Sequence, residues 1–75
     1  MKVTVKLVGG LVYKVGFAER ELEVPPGTTA GSLLAGLGID TPGSVITTRN
    51  GWGMAEDEEA REGDRILISP PFSGG

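Results

Sequence analysis

Glu62-Gly63-Asp64-Arg65-Ile66-Leu67-Ile68-Ser69-Pro70-Pro71-Phe72-Ser73-Gly74-Gly75 carries the reading of the fold. Glu62-Gly63-Asp64 is a turn, and Arg65–Ser69, rich in β-branched residues, reads as the strand it feeds. Pro70-Pro71 ends that strand, because proline has no N–H to give to a ladder. The diproline also holds the chain extended as it leaves the domain surface. Gly74 and Gly75 add no side chains. Residues 72–75 therefore read as a thin tail able to enter a narrow channel in another protein.

The other end of the chain supplies a partner for this strand. Met1, Val3, Val5 and Leu7 alternate with Lys2, Thr4 and Lys6, the period of a half-buried strand. Gly9-Gly10 predicts a hairpin turn, with Leu11–Val15 as a second strand that breaks at Gly16 and alternates again over Glu21–Val24. Pro25-Pro26-Gly27 stops it. Thr28 or Thr29 then caps a helix whose stripe is Ala30, Leu33, Leu34 and Leu37. Gly38 suits the left-handed position after a helix end, with Ile39 as its hydrophobic contact, and Pro42 bars continuation. Val45–Thr48 is a strand, Asn50-Gly51 a hairpin turn, and Trp52-Gly53-Met54 a short return. Val3, Val5, Leu7, Ile66 and Ile68 belong opposite the helical stripe. The expected architecture is α+β: a mixed sheet of four to five strands with one short helix packed on one face.

Composition excludes much chemistry. The 75 residues include no cysteine and no histidine. That removes disulfides, thiolate nucleophiles, His-ligated metals and the common hydrolase triads. A domain this small has too thin a core for a deep active site with a cofactor cage. Seven basic against ten acidic residues give a net charge of −3, which argues against nucleic acid. Residues 1–14 carry Lys2, Lys6 and Lys14 with no acid, while 56–64 carry six acids against Arg61 alone. The acidic stretch reads as a solvated loop, with a patch for a basic partner as the sharper alternative. No segment is long and apolar enough for a membrane span or laid out as a signal peptide, so a cytoplasmic protein is expected.

If the chain acts through its tail, the reactive group is the Gly75 carboxylate. A carboxylate is ionised at neutral pH and is a poor electrophile. Joining it to sulfur or an amine requires activation, for instance as an acyl-adenylate made from ATP. The domain has no groups for that step, so it is expected not to be an enzyme. It binds no cofactor itself, and a partner supplies the nucleotide and the nucleophile.

The order of elements, Asn50-Gly51, Glu62-Gly63-Asp64 and Pro70-Pro71-Phe72-Ser73-Gly74-Gly75 together resemble the ubiquitin-like β-grasp sulfur carriers, the ThiS/MoaD family. Within these the chain is most similar to the small subunit of molybdopterin synthase, whose members commonly end in Pro-Pro, a variable residue, Ser or Thr, then Gly-Gly. The resemblance covers the whole chain in topology and is specific over residues 62–75. It implies a β-grasp domain over 1–71 and a flexible tail over 72–75, monomeric when free. A ubiquitin-activating-type enzyme would adenylate Gly75. Sulfur loading would give a thiocarboxylate, and the tail would insert into a large synthase subunit that builds the dithiolene of the pterin precursor. Gly74 and Gly75 then carry the chemistry, and Pro70, Pro71, Phe72 and Ser73 form the partner-binding base. Ala60 departs from the larger apolar residue the family often has there. Alternatives that use the same activation are a carrier for thiamine, tRNA or amino-acid thiolation, and a protein modifier joined to lysines through Gly75. A plain binding module with an idle tail is a further class.

Other residues allow two readings each. Leu67, on the strand face away from Ile66 and Ile68, is either covered by a second layer or part of a docking patch. Trp52 is either a core anchor or a partner contact. Phe72 is expected to be a contact, Tyr13 and Phe17 packing residues, and Asp64 the residue that shapes its turn. Gly9-Gly10 lacks the spacing of a phosphate loop, and the acids lack the layout of a calcium loop.

Overall fold

The computed structural model describes residues 1–39 and 45–71. Its elements are β1 (Lys2–Leu7), α1 (Leu11–Val15), β2 (Glu19–Glu23), α2 (Ala30–Gly36), β3 (Ile46–Arg49), β4 (Trp52–Gly53) and β5 (Arg65–Ser69). They build one mixed five-stranded sheet in the order β2-β1-β5-β3-β4. The first and last strands lie side by side and parallel at its centre, Val5 against Ile66 and Leu7 against Ile68. The other pairs are antiparallel. Val3, Val5, Leu7, Ile66 and Ile68 point to one face and meet Ala30, Leu33 and Leu34 of α2, with Ile39, Met54 and Ala60 closing the core. The α+β architecture of the sequence reading is present.

Residues 11–15 correct that reading. They form a helix, and Gly9-Gly10 is not a two-residue hairpin turn. Gly9 takes φ +62°, and Gly16, at φ +106°, caps the helix by donating its N–H to the Val12 carbonyl. Leu11, Val12 and Val15 pack on the core from positions i, i+1 and i+4. In a window of five residues that spacing and a strand's alternation overlap, so periodicity could not decide between them. The strand that pairs with β1 begins only at Glu19.

α2 follows its sequence signals. Thr29 is the N-cap: its Oγ1 accepts the Ser32 N–H, while Ser32 Oγ accepts the Thr29 N–H at 2.9 Å, a reciprocal capping box. Gly38 is left-handed at φ +84°, and Ile39, 2% exposed, donates its N–H to the Leu34 carbonyl. Pro42 lies outside the described residues.

The acidic stretch is docked through its backbone. Ala30 and Gly31 donate their N–H groups to the carbonyls of Glu58 and Glu56, at 3.0 and 2.8 Å, and Ala60 N–H reaches the Thr28 carbonyl at 2.8 Å. The first two bonds satisfy N–H groups at the start of α2 that the helix itself leaves unpaired. The charged heads of Glu56, Asp57 and Glu59 stay exposed, while the small Ala60 is buried. Among the described residues, no helix is long and apolar enough to cross a membrane.

Candidate functional site

β5 carries the chain to the candidate site. On the β1 side the Val8 N–H donates to the Ile68 carbonyl at 3.2 Å, and on the β3 side Ser69 still pairs with Ile46. Pro70 cannot donate beyond Ser69, so the ladder stops where the sequence placed its end. Pro70 is half-buried and Pro71 exposed. A side-chain carbon on Gly9 would meet Pro70 Cγ at 3.6 Å, so the base of the tail rests beside the loop that opens α1. Phe72, Ser73, Gly74 and Gly75 lie outside the described residues, as does the proposed tail boundary at 72.

The start of β5 is anchored rigidly. Asp64 is 6% exposed. Its Oδ2 accepts the Arg61 N–H at 2.8 Å, and its Oδ1 accepts from Asn50 Nδ2 at 3.2 Å. Asn50 Oδ1 accepts the Arg65 N–H at 2.9 Å. Arg49 Nη1 stands 3.7 Å from Asp64 Oδ2 and donates to the Glu59 carbonyl, while its Nη2 pairs with Glu58 at 2.8 Å. Asn50 at φ +51° and Gly51 at φ +88° make the hairpin that positions these groups. Asp64 therefore shapes the turn, as the sequence suggested, and also ties it to a second hairpin.

Cross-strand partners share a face, so the register assigns Leu67 to the side of the sheet away from α2, in one row with Lys6 and Thr48. It is half-buried and lines an open cavity of about 470 Å³ with Thr4, Lys6, Glu19, Thr48 and Arg65. Among the described residues no second layer of secondary structure packs over this face. Trp52 is 77% exposed, so the core-anchor reading falls. It pairs with Arg49, which pairs with Ile66, and so belongs to the opposite face. The structure brings Leu67, Pro70 and Pro71 together along β5 and leaves Trp52 apart.

Two exposed apolar residues join the Leu67 face at the tail end. Ile46, 48% exposed, pairs with Ser69, and Val8, 40% exposed, follows Leu7 in phase with Lys6. Val8, Ser69 and Ile46 thus form the row next to the tail's exit. Sequence reasoning missed both, although strand phase was the available signal: each lies two residues from a polar outer-face position. Tyr13 corrects another expectation. It is 91% exposed and packs on nothing buried, because α1 turns Leu11, Val12 and Val15 inward. Phe17 does pack against the core, with the Arg20 guanidinium 4.6 Å above its ring. Among the described residues, no group of three or more acids, His or Cys is arranged to hold a metal ion.

Comparison with known proteins agrees with this geometry. The model of the ThiS family matches residues 5–75. A protein assigned as molybdopterin converting factor, subunit 1, from Pyrococcus furiosus superposes with TM-score 0.81 at 26% identity, covering 96% of this chain and 99% of that one. The small archaeal modifier protein 1 of Haloferax volcanii gives TM-score 0.79 at 25% identity, with both chains covered in full. Its counterpart from Methanosarcina acetivorans gives 0.70 at 25%, over 99% and 96%. With the parallel β1–β5 pair, the capped α2 packed on the core face and a family match running from β1 through Gly75, this chain belongs to the ThiS family and has the ubiquitin-like β-grasp fold.

Proposed function

We propose that the chain is a sulfur carrier of molybdopterin biosynthesis, with the Gly75 carboxylate as its working group. The observation that carries this reading is the family match extending through Pro70-Pro71-Phe72-Ser73-Gly74-Gly75, together with the likeness to a molybdopterin converting factor subunit. A partner of the ubiquitin-activating type supplies ATP. A Gly75 carboxylate oxygen attacks the α-phosphorus, pyrophosphate leaves, and an acyl-adenylate forms. Hydrosulfide then attacks the acyl carbon and AMP leaves, and the resulting thiocarboxylate donates its sulfur to the acceptor. The domain over 1–71 is a handle without catalytic groups, and the tail over 72–75 reaches into the partner's site. Val8, Ile46 and Leu67 form its docking face, with Pro70, Pro71 and Phe72 as the collar of the tail.

The likeness to small archaeal modifier proteins supports a second reading, in which Gly75 is joined to lysines of other proteins after the same activation. ATP–pyrophosphate exchange tests the shared step. Wild-type chain supports exchange, whereas a chain extended by one residue, or carrying Gly75→Trp, does not, with both variants folded. Exchange at wild-type rates by either variant would overturn the role of Gly75. Slowly migrating conjugates on a denaturing gel would favour the modifier reading over the carrier.

A further inference from the structure

The exposed apolar side chains at the tail's exit have one member off the sheet face. Tyr13 is the only tyrosine of the chain and is 91% exposed. α1 fixes where it stands. The Tyr13 N–H is bonded to the Gly10 carbonyl at 3.2 Å, and Gly10 follows Gly9, the residue against which Pro70 rests. Tyr13 is thus about one helical turn from the base of the tail, on its α1 side, while Val8 and Ile46 lie on the sheet side of that base.

Chain length makes this placement consequential. Four residues separate Pro71 from the Gly75 carboxylate, and fully extended they reach at most about 14 Å. An enzyme that holds this carboxylate in its active site is therefore drawn to within that distance of Pro71. The first turn of α1, which opens just after Gly9 beside Pro70, lies within the same distance of Pro71. Trp52 is comparably exposed but stands at the other end of β5, whose first residue Arg65 bonds to Asn50 of the β3–β4 turn. A partner contact at Trp52 would belong to a different surface from the one the tail draws in, so Trp52 serves as a control for the adenylating enzyme alone.

We infer that Tyr13 is a docking contact for the adenylating enzyme, its ring entering an apolar recess whose rim is acidic. Tyrosine supplies a large, rigid contact area at low entropic cost, which is why it is enriched among interface residues that matter most. The acidic rim follows from Lys14, which is exposed next to Tyr13 in α1. This assignment rests on the proposed activation of Gly75.

The test is ATP–pyrophosphate exchange by the adenylating enzyme that accepts the wild-type chain, with the carrier concentration varied. Tyr13→Ala raises KM for the carrier about tenfold at unchanged kcat, Tyr13→Phe recovers most of the loss, and Lys14→Glu raises KM severalfold with a weaker dependence on salt. Trp52→Ala leaves KM at the wild-type value, and all four variants keep the wild-type melting temperature. A wild-type KM for Tyr13→Ala overturns the assignment, as does an equal loss with Trp52→Ala. Absence of exchange with the wild-type chain overturns the proposed function itself, and this contact with it.

Discussion

Asp64 is a buried carboxylate whose two oxygens accept from Arg61 and Asn50 and stand near the Arg49 guanidinium. Truncating it leaves a backbone N–H, an amide and a cation short of partners in a nearly dry site. Asp64→Ala is expected to cost about 2–3 kcal/mol, a fall in melting temperature of roughly 10–20 °C for a domain of this size. Thermal unfolding followed by circular dichroism checks it, and a fall of only a degree or two would mean that water replaces the lost bonds. Asp64 was legible because a Gly-Asp turn before a strand has few other uses. Tyr13 was not. Exposure of an aromatic residue depends on which way a short helix is rolled, and the inward positions Leu11, Val12 and Val15 establish that only once the helix is known.

At the scale of elements, α2 holds two glycines with opposite expected responses. A side-chain carbon at Gly31 would stand 3.2 Å from the Glu56 carbonyl, whereas one at Gly36 meets nothing within 4 Å. Gly36→Ala is expected to stabilise by about 0.5–1 kcal/mol through reduced freedom of the unfolded chain. Gly31→Val must push the docked 55–60 segment outward and is expected to destabilise by about 1–3 kcal/mol. Urea midpoints of the two variants, moving in opposite directions from wild type, check both. Matching shifts would show that the Gly31–Glu56 approach imposes no constraint. α2 was readable because stripe, cap and C-terminal glycine agree over ten residues. α1 was misread because five residues hold too little periodicity. The docking of 55–60 on α2 was hidden as well, since its bonds are made by backbone carbonyls that no residue type advertises.

At the scale of the whole molecule, the parallel pairing of β1 with β5 brings the first strand's end to the tail's exit and gathers Val8, Ile46 and Pro70 there. The outer face of the sheet was partly legible: strand phase put Leu67 away from the core, but its neighbours across the sheet depend on strand order, which alternation alone does not specify. Val8→Ser and Ile46→Ser are expected to weaken binding of the activating partner severalfold each, measured by calorimetry, with melting temperatures within a few degrees of wild type, since both side chains are already near half exposed. Phe72→Ala is expected to act in the same way from within the tail. A large loss of stability in Phe72→Ala would instead place that ring against the domain.

Intact-mass spectrometry of the protein isolated from its own cells, without reducing or alkaline treatment, tests the central claim most directly. Exchange of one terminal oxygen for sulfur, localised by fragmentation to Gly75, is the result expected of a sulfur carrier. An unmodified terminus in every preparation, with Gly75 recovered only in amide linkage to lysines of other proteins, would contradict it.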